Sequence, residues 1–153
     1  MTQSTDRIER KILLQAPRAR VWRALSNAEE FGGWFGVNLK GRAFTAGQRT
    51  HGQITYPGYE YLTFEVWIER VEPERLLSWR WHPAPVEKGV DYSAEPTTLV
   101  TFELQDAAGG TLLSVVESGF DNVPPHRRLD AFRMNSGGWD EQMQRIEKHV
   151  AAS

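Results

Sequence analysis

The feature that most constrains this chain is the stretch from Pro125 to about Ala151. In it Leu129, Phe132, Ser136, Trp139, Met143, Ile146 and Val150 recur at alternating spacings of three and four. That rhythm places them along one face of a helix. Pro124 and Pro125 suit its first turn, where no amide donor is needed, and Arg145, Lys148 and His149 suit its carboxyl end. At 1.5 Å per residue the helix is roughly 40 Å long, enough to cross a small domain. Its apolar seam needs a broad partner surface.

The rest of the chain supplies that surface as strands. Residues 8–16 alternate loosely and run into Pro17, which starts a helix with Val21, Trp22 and Leu25 on its apolar side. Ser26 and Asn27 break it before a short second helix through Glu29, Glu30 and Phe31, ended by Gly32 and Gly33. Trp34, Phe35 and Gly36 form an aromatic corner, and 37–44 is read as extended. Hairpins follow. Residues 48–56 turn at Pro57-Gly58. Leu62, Phe64, Val66 and Ile68 alternate with polar residues apart from Trp67, and Val71 falls out of phase, which predicts a bulge near Arg70. Leu77, Trp79 and Trp81 share one face of the next strand. The segment 83–96 is too long for a tight hairpin and reads as a lid or binding loop. Val100, Phe102 and Leu104 mark one further strand, and Leu113, Val115 and Glu117 mark the last.

The fold class is therefore α+β, with a curved seven-stranded antiparallel sheet around the long helix and two short helices after the first strand. Residues 1–153 read as a single domain, since a chain of this length buries about two thirds of the surface exposed on unfolding. With 18 basic and 20 acidic residues and no sustained basic run, nucleic acid is not an expected partner. No apolar stretch is long enough to span a bilayer, and the polar start lacks the apolar middle of a signal peptide, so a cytoplasmic protein is expected. The absence of cysteine removes thiolate catalysis and cysteine-based zinc sites. His51, His82, His126 and His149 do not pair at metal-ligand spacing, so neither a metal nor a cofactor is implied.

Four groups of residues together resemble the START-like helix-grip (SRPBCC) superfamily, and within it the branch of homologues of the heat-shock chaperone ATPase activator. They are Ala16-Pro17 through Val21-Trp22-Arg23-Ala24-Leu25, the Trp34-Phe35 corner, Glu117-Ser118-Gly119-Phe120, and Gly138-Trp139 with Met143 and Ile146. The resemblance runs over residues 8–150 and implies a deep apolar cavity between sheet and helix. The roles it implies range from ligand carriage through cyclase or hydratase chemistry to chaperone stimulation, and fold alone does not choose among them.

Strand direction locates one edge of the sheet independently. The ends of the third, fifth and seventh strands, the starts of the fourth and sixth, and the start of the long helix all meet there. Tyr56, Phe64, Trp79, Trp81, Val100 and Glu117 are expected to point inward at that edge, faced by Leu129, Phe132 and Ser136. With Trp34, these residues apart from Leu129 form the expected ligand-binding set. Glu117 is the most informative of them, because it shares its phase with Leu113 and Val115 and so should be buried, where a carboxylate needs partners. It is read either as a ligand anchor or acid/base, or as a structural acceptor for a tryptophan ring donor or a loop amide. Six tryptophans favour a lined space over a plain aliphatic filling. Gly137 and Gly138 point to close packing or a kink, and Arg127, Arg128 and Arg133 to a solvated helix face.

The leading expectation is binding of a small apolar or amphipathic molecule between sheet and helix. The alternatives are a cyclase or dehydratase using Glu117 as acid or base, and a chaperone-interacting module. An outward Trp67 would suit a homodimer contact.

Overall fold

A computed structural model describes residues 6–83 and 91–151. The first strand, β1 (Arg7–Leu14), leads into α1 (Arg18–Ser26), whose Val21, Ala24 and Leu25 are buried. The Asn27 side chain caps α2 (Ala28–Phe35) by accepting from the Glu30 amide at 2.9 Å. Gly32 and Gly33 do not end this helix; it runs two residues further and stops at Gly36, in the left-handed region at φ 101°. Gly32 has a different reason to be glycine. A Cβ there would lie 2.2 Å from the Val37 carbonyl oxygen, so only glycine lets the returning chain pack against the helix.

The extended segment after it is shorter than expected. Only β2 (Val37–Asn38) is a strand, because the Asn38 side chain accepts from the Lys40 amide and the Arg42 amide turns back onto Leu39. The hairpins β3 (Arg49–Ile54), β4 (Thr63–Glu72), β5 (Leu76–Trp81), β6 (Thr98–Ala107) and β7 (Gly110–Ser118) follow, with a register shift between Ile68 and Arg70 where the phase of Val71 predicts it. The antiparallel sheet has the order β1-β7-β6-β5-β4-β3-β2. Pairing of β1 with β7 puts β1 and β2 on opposite edges, so α1 and α2 carry the chain from one edge to the other.

The long helix α3 (Pro125–Ala151) lies against the inner face. Trp139, Met143, Ile146 and Val150 are buried as the seam predicts. Over the first turns the buried line shifts. Ala131 is buried, Phe132 is half-buried, and Leu129 is 52% exposed rather than inward. One cause is an anchor from β1: Arg10 reaches Asp140 Oδ1 at 2.6 Å and Ser136 Oγ at 2.7 Å, turning Ser136 toward the sheet edge. At the other end Gln142 Nε2 and Arg145 Nη1 donate to the Phe35 carbonyl at 3.0 and 3.2 Å. Gly137 and Gly138 serve no close packing, since a Cβ on either would meet nothing within 4 Å beyond its own stretch of helix, and the helix continues through both. Among the described residues no helix is long and apolar enough to cross a membrane.

Candidate functional site

The candidate site is built around Glu117. Period-two alternation along β7 buries Thr111, Leu113, Val115 and Glu117 in turn, leaving the Glu117 side chain 1% exposed. Register places Trp79 beside Val100 and Val100 beside Glu117 across β5, β6 and β7, with Trp81 beside Thr98 two pairs further out. The carboxylate accepts four donors. Trp81 Nε1 and Thr98 Oγ1 reach Oε2 at 2.8 and 2.5 Å, Trp139 Nε1 reaches Oε1 at 2.8 Å, and Asn135 Nδ2 lies 2.9 and 3.0 Å from the two oxygens. No Lys or Arg side chain pairs with it among the described residues. Two indoles and an amide N–H can only donate, which suits the ionised carboxylate, a pure acceptor. One group thus ties α3, through Asn135 and Trp139, to three strands.

Aromatic rings surround this knot. Trp81 and Trp139 lie 5.9 Å apart, Phe35 is 6.3 Å from Trp139 and 5.6 Å from Phe64, and Phe64 is 6.1 Å from Trp81. Trp79 packs deeper, among Phe31, Phe64 and Phe102, and its indole N–H has no hydrogen-bond partner among the described residues. Burial is graded. Trp79, Val100, Thr98 and Trp139 are enclosed, whereas Phe35, Trp81, Phe132 and Asn135 are half-buried.

Of the expected ligand-binding residues, Phe64, Trp79, Trp81, Val100 and Glu117 lie together on the inner face. Trp34 is elsewhere: its Nε1 donates to the Ala24 carbonyl at 2.8 Å, holding α1 and α2 together. Tyr56 does not point inward. It follows β3, is 42% exposed, and lies under the Arg145 guanidinium, whose Cζ is 5.0 Å from the ring centroid. Phe132 packs edge-on against Phe120 at 5.4 Å, and Ser136 faces Arg10. Phe35, Thr98, Asn135 and Trp139 belong to the site without being in the expected set, Trp139 having been read only as part of the helix seam. Thr98 carries the alternation of Val100 and Phe102 two residues further back, and Asn135 sits four residues from both Ala131 and Trp139 on the buried line.

Part of the expected lid, residues 84–90, lies outside the described residues. The described remainder is tied to the start of α3. Arg127 Nε reaches Glu95 Oε1 at 3.0 Å, its guanidinium lies 4.8 Å above the buried Tyr92 ring, and His82 Nε2 is 3.1 Å from the Glu95 carbonyl. Arg127 is therefore a largely buried strut and not part of a solvated face. Trp67 is on the outer face, half-buried and edge-on to His82 at 5.7 Å. Among the described residues no group of three or more His, Asp or Glu side chains is placed to hold a metal ion.

Several solved structures share this architecture. Protein MLL2253 of Mesorhizobium loti is 22% identical with a TM-score of 0.74, over 96% of this chain and 98% of that one. A solution structure from Arthrobacter aurescens reaches a TM-score of 0.76 at 15% identity, over 99% and 91%. DynU16, encoded in the dynemicin biosynthetic locus, matches at 23% identity and a TM-score of 0.73 over 95% of this chain but 47% of its own length. At these identities the likeness is one of fold. A comparison with curated proteins finds no match. The family model described as Activator of Hsp90 ATPase homolog 1-like protein matches residues 15–151, which contain α1, α2, six of the strands and α3. The chain belongs to that family and, with its sheet wrapped around a long terminal helix, to the START-like helix-grip superfamily.

Proposed function

We propose that this protein binds a small, largely apolar molecule between the sheet and the first half of α3, against Phe35, Phe64, Trp81 and Phe132. The observation that carries this reading is the graded burial of the inner face. The seam of α3 is closed over Trp139, Met143, Ile146 and Val150, whereas Phe35, Trp81 and Phe132 remain half-buried and only Phe64 of the proposed lining is enclosed. Half-buried rings around a fixed polar group are the usual lining of a small-molecule site. Glu117 and its donors provide that group: a ligand hydroxyl or amine reaching it would take the place of the half-buried Asn135 amide.

The acid/base alternative has less support, because four donors already occupy the carboxylate that would have to move a proton. The family description favours a second reading, a chaperone-interacting module, in which a partner docks on the outer surface. Native mass spectrometry of the purified protein, followed by denaturation of the same sample, tests the first reading. About one apolar molecule per chain, absent from Asn135→Trp, is the expected result. An empty protein whose tryptophan fluorescence ignores a panel of fatty acids, polyketides and aromatics would overturn it. Chaperone association indifferent to Asn135→Trp would then favour the second.

A further inference from the structure

A separate cleft of about 510 Å³ opens on the surface between the end of α2, the β3–β4 turn and the last turns of α3. It is broad and largely open to solvent, so a ligand would lie on it rather than inside it. Arg145, Lys148 and His149 line it together with Trp34, Thr55 and Tyr56, and no acidic side chain is part of the lining. We propose that this cleft binds a small organic anion, a phosphate monoester or carboxylate, independently of the site between sheet and helix.

Three observations support a built site. Arg145 is held in place, with Nη1 on the Phe35 carbonyl at 3.2 Å, Nη2 on Glu141 at 2.9 Å, and the Tyr56 ring beneath its plane. Those two bonds leave three of the five guanidinium N–H donors for a ligand. Two of the carboxylates around it are already matched, Glu141 with Arg145 and Glu30 with Arg20, Arg23 and His149. Lys148, exposed at the cleft, makes no ion pair among the described residues. The Thr55 and Tyr56 hydroxyls likewise make no hydrogen bond among the described residues, which leaves two neutral donors beside the cations. Basic residues in a last helical turn complement the helix dipole, which by itself accounts for Lys148 and His149. It does not account for their convergence, with an oriented guanidinium, on one concave surface.

The test is amide-shift mapping of the intact chain with phenyl phosphate, benzoate and neutral phenol. Phenyl phosphate or benzoate should shift the amides of Gly33, Gly36 and Lys148, phenol should not, and binding should weaken with salt. Lys148→Glu, an exposed change that leaves folding contacts intact, should weaken anion binding by about tenfold or more. Tyr56→Phe should weaken it less. Co-sedimentation with vesicles containing phosphatidic acid separates the two sources of such a group: Lys148-dependent co-sedimentation assigns it to a lipid headgroup, and binding of phenyl phosphate alone to a soluble ligand. Equal binding of phenol and the anions, shifts confined to other residues, or undiminished affinity in Lys148→Glu would overturn the proposal.

Discussion

Replacing Glu117 with leucine removes the acceptor from four donors at once. Trp81 and Asn135 are half-buried and can turn to water, but Thr98 is fully buried and Trp139 is 3% exposed, so these two are left without partners. Each stranded buried donor costs about 1–3 kcal/mol, partly offset because the carboxylate no longer has to be desolvated. A net loss of about 3 kcal/mol is expected, which for a chain of this length is a fall in Tm of about 6–12 °C. Glu117→Gln should be milder. Its amide nitrogen can take the Oε2 position, where the Thr98 hydroxyl is able to reverse and accept, so that chiefly the half-buried Trp81 bond is lost, at about 1–2 kcal/mol. Urea denaturation followed by far-ultraviolet circular dichroism gives both values. Trp139→Phe in the Glu117→Leu background removes one stranded donor, so the loss in the double variant should be smaller than the sum of the single losses by about 1 kcal/mol or more. If Glu117→Leu matched the wild type within about 0.5 kcal/mol, or if the double variant were simply additive, the claim that this carboxylate ties α3 to the sheet would fail.

Glu30 sets a pH-dependent term. Burial pushes its carboxyl up, but Arg20, His149 and Arg23 outweigh that and hold it below its ordinary value. Its contribution is therefore present above the ordinary carboxylate range and lost as pH falls through the lowered value, so the stability gap between wild type and Glu30→Gln should be open at pH 7 and close in acid. Gly137→Ala and Gly138→Ala should each raise stability by about 1 kcal/mol in thermal melts, because the added methyl meets no neighbour and the unfolded chain loses freedom. Gly32→Ala should do the opposite, and a variant as stable as wild type would show that α2 does not need the close approach of Val37. Arg10→Ala frees α3 from β1 and should raise amide exchange around Ser136 more than around Ile146.

What the sequence by itself determined was the order of elements and the burial of Glu117. Strand parity is binary: once Leu113 and Val115 face inward, Glu117 must as well, and the partners a buried carboxylate needs were foreseeable as tryptophan ring donors. The phase of Val71 marked the bulge for the same reason. Which residues of α3 meet that carboxylate was decided only by tertiary structure. A helical seam is a stripe about 100° wide, so Asn135 and Ser136, one step apart, both fit it. The choice rested on packing against the sheet and on Arg10, distant in sequence, which drew Ser136 to the edge and left Asn135 over Glu117. Tyr56 and the end of α2 were illegible for a similar reason. Both depend on where the returning chain and the last turns of α3 come to lie, which no local period records.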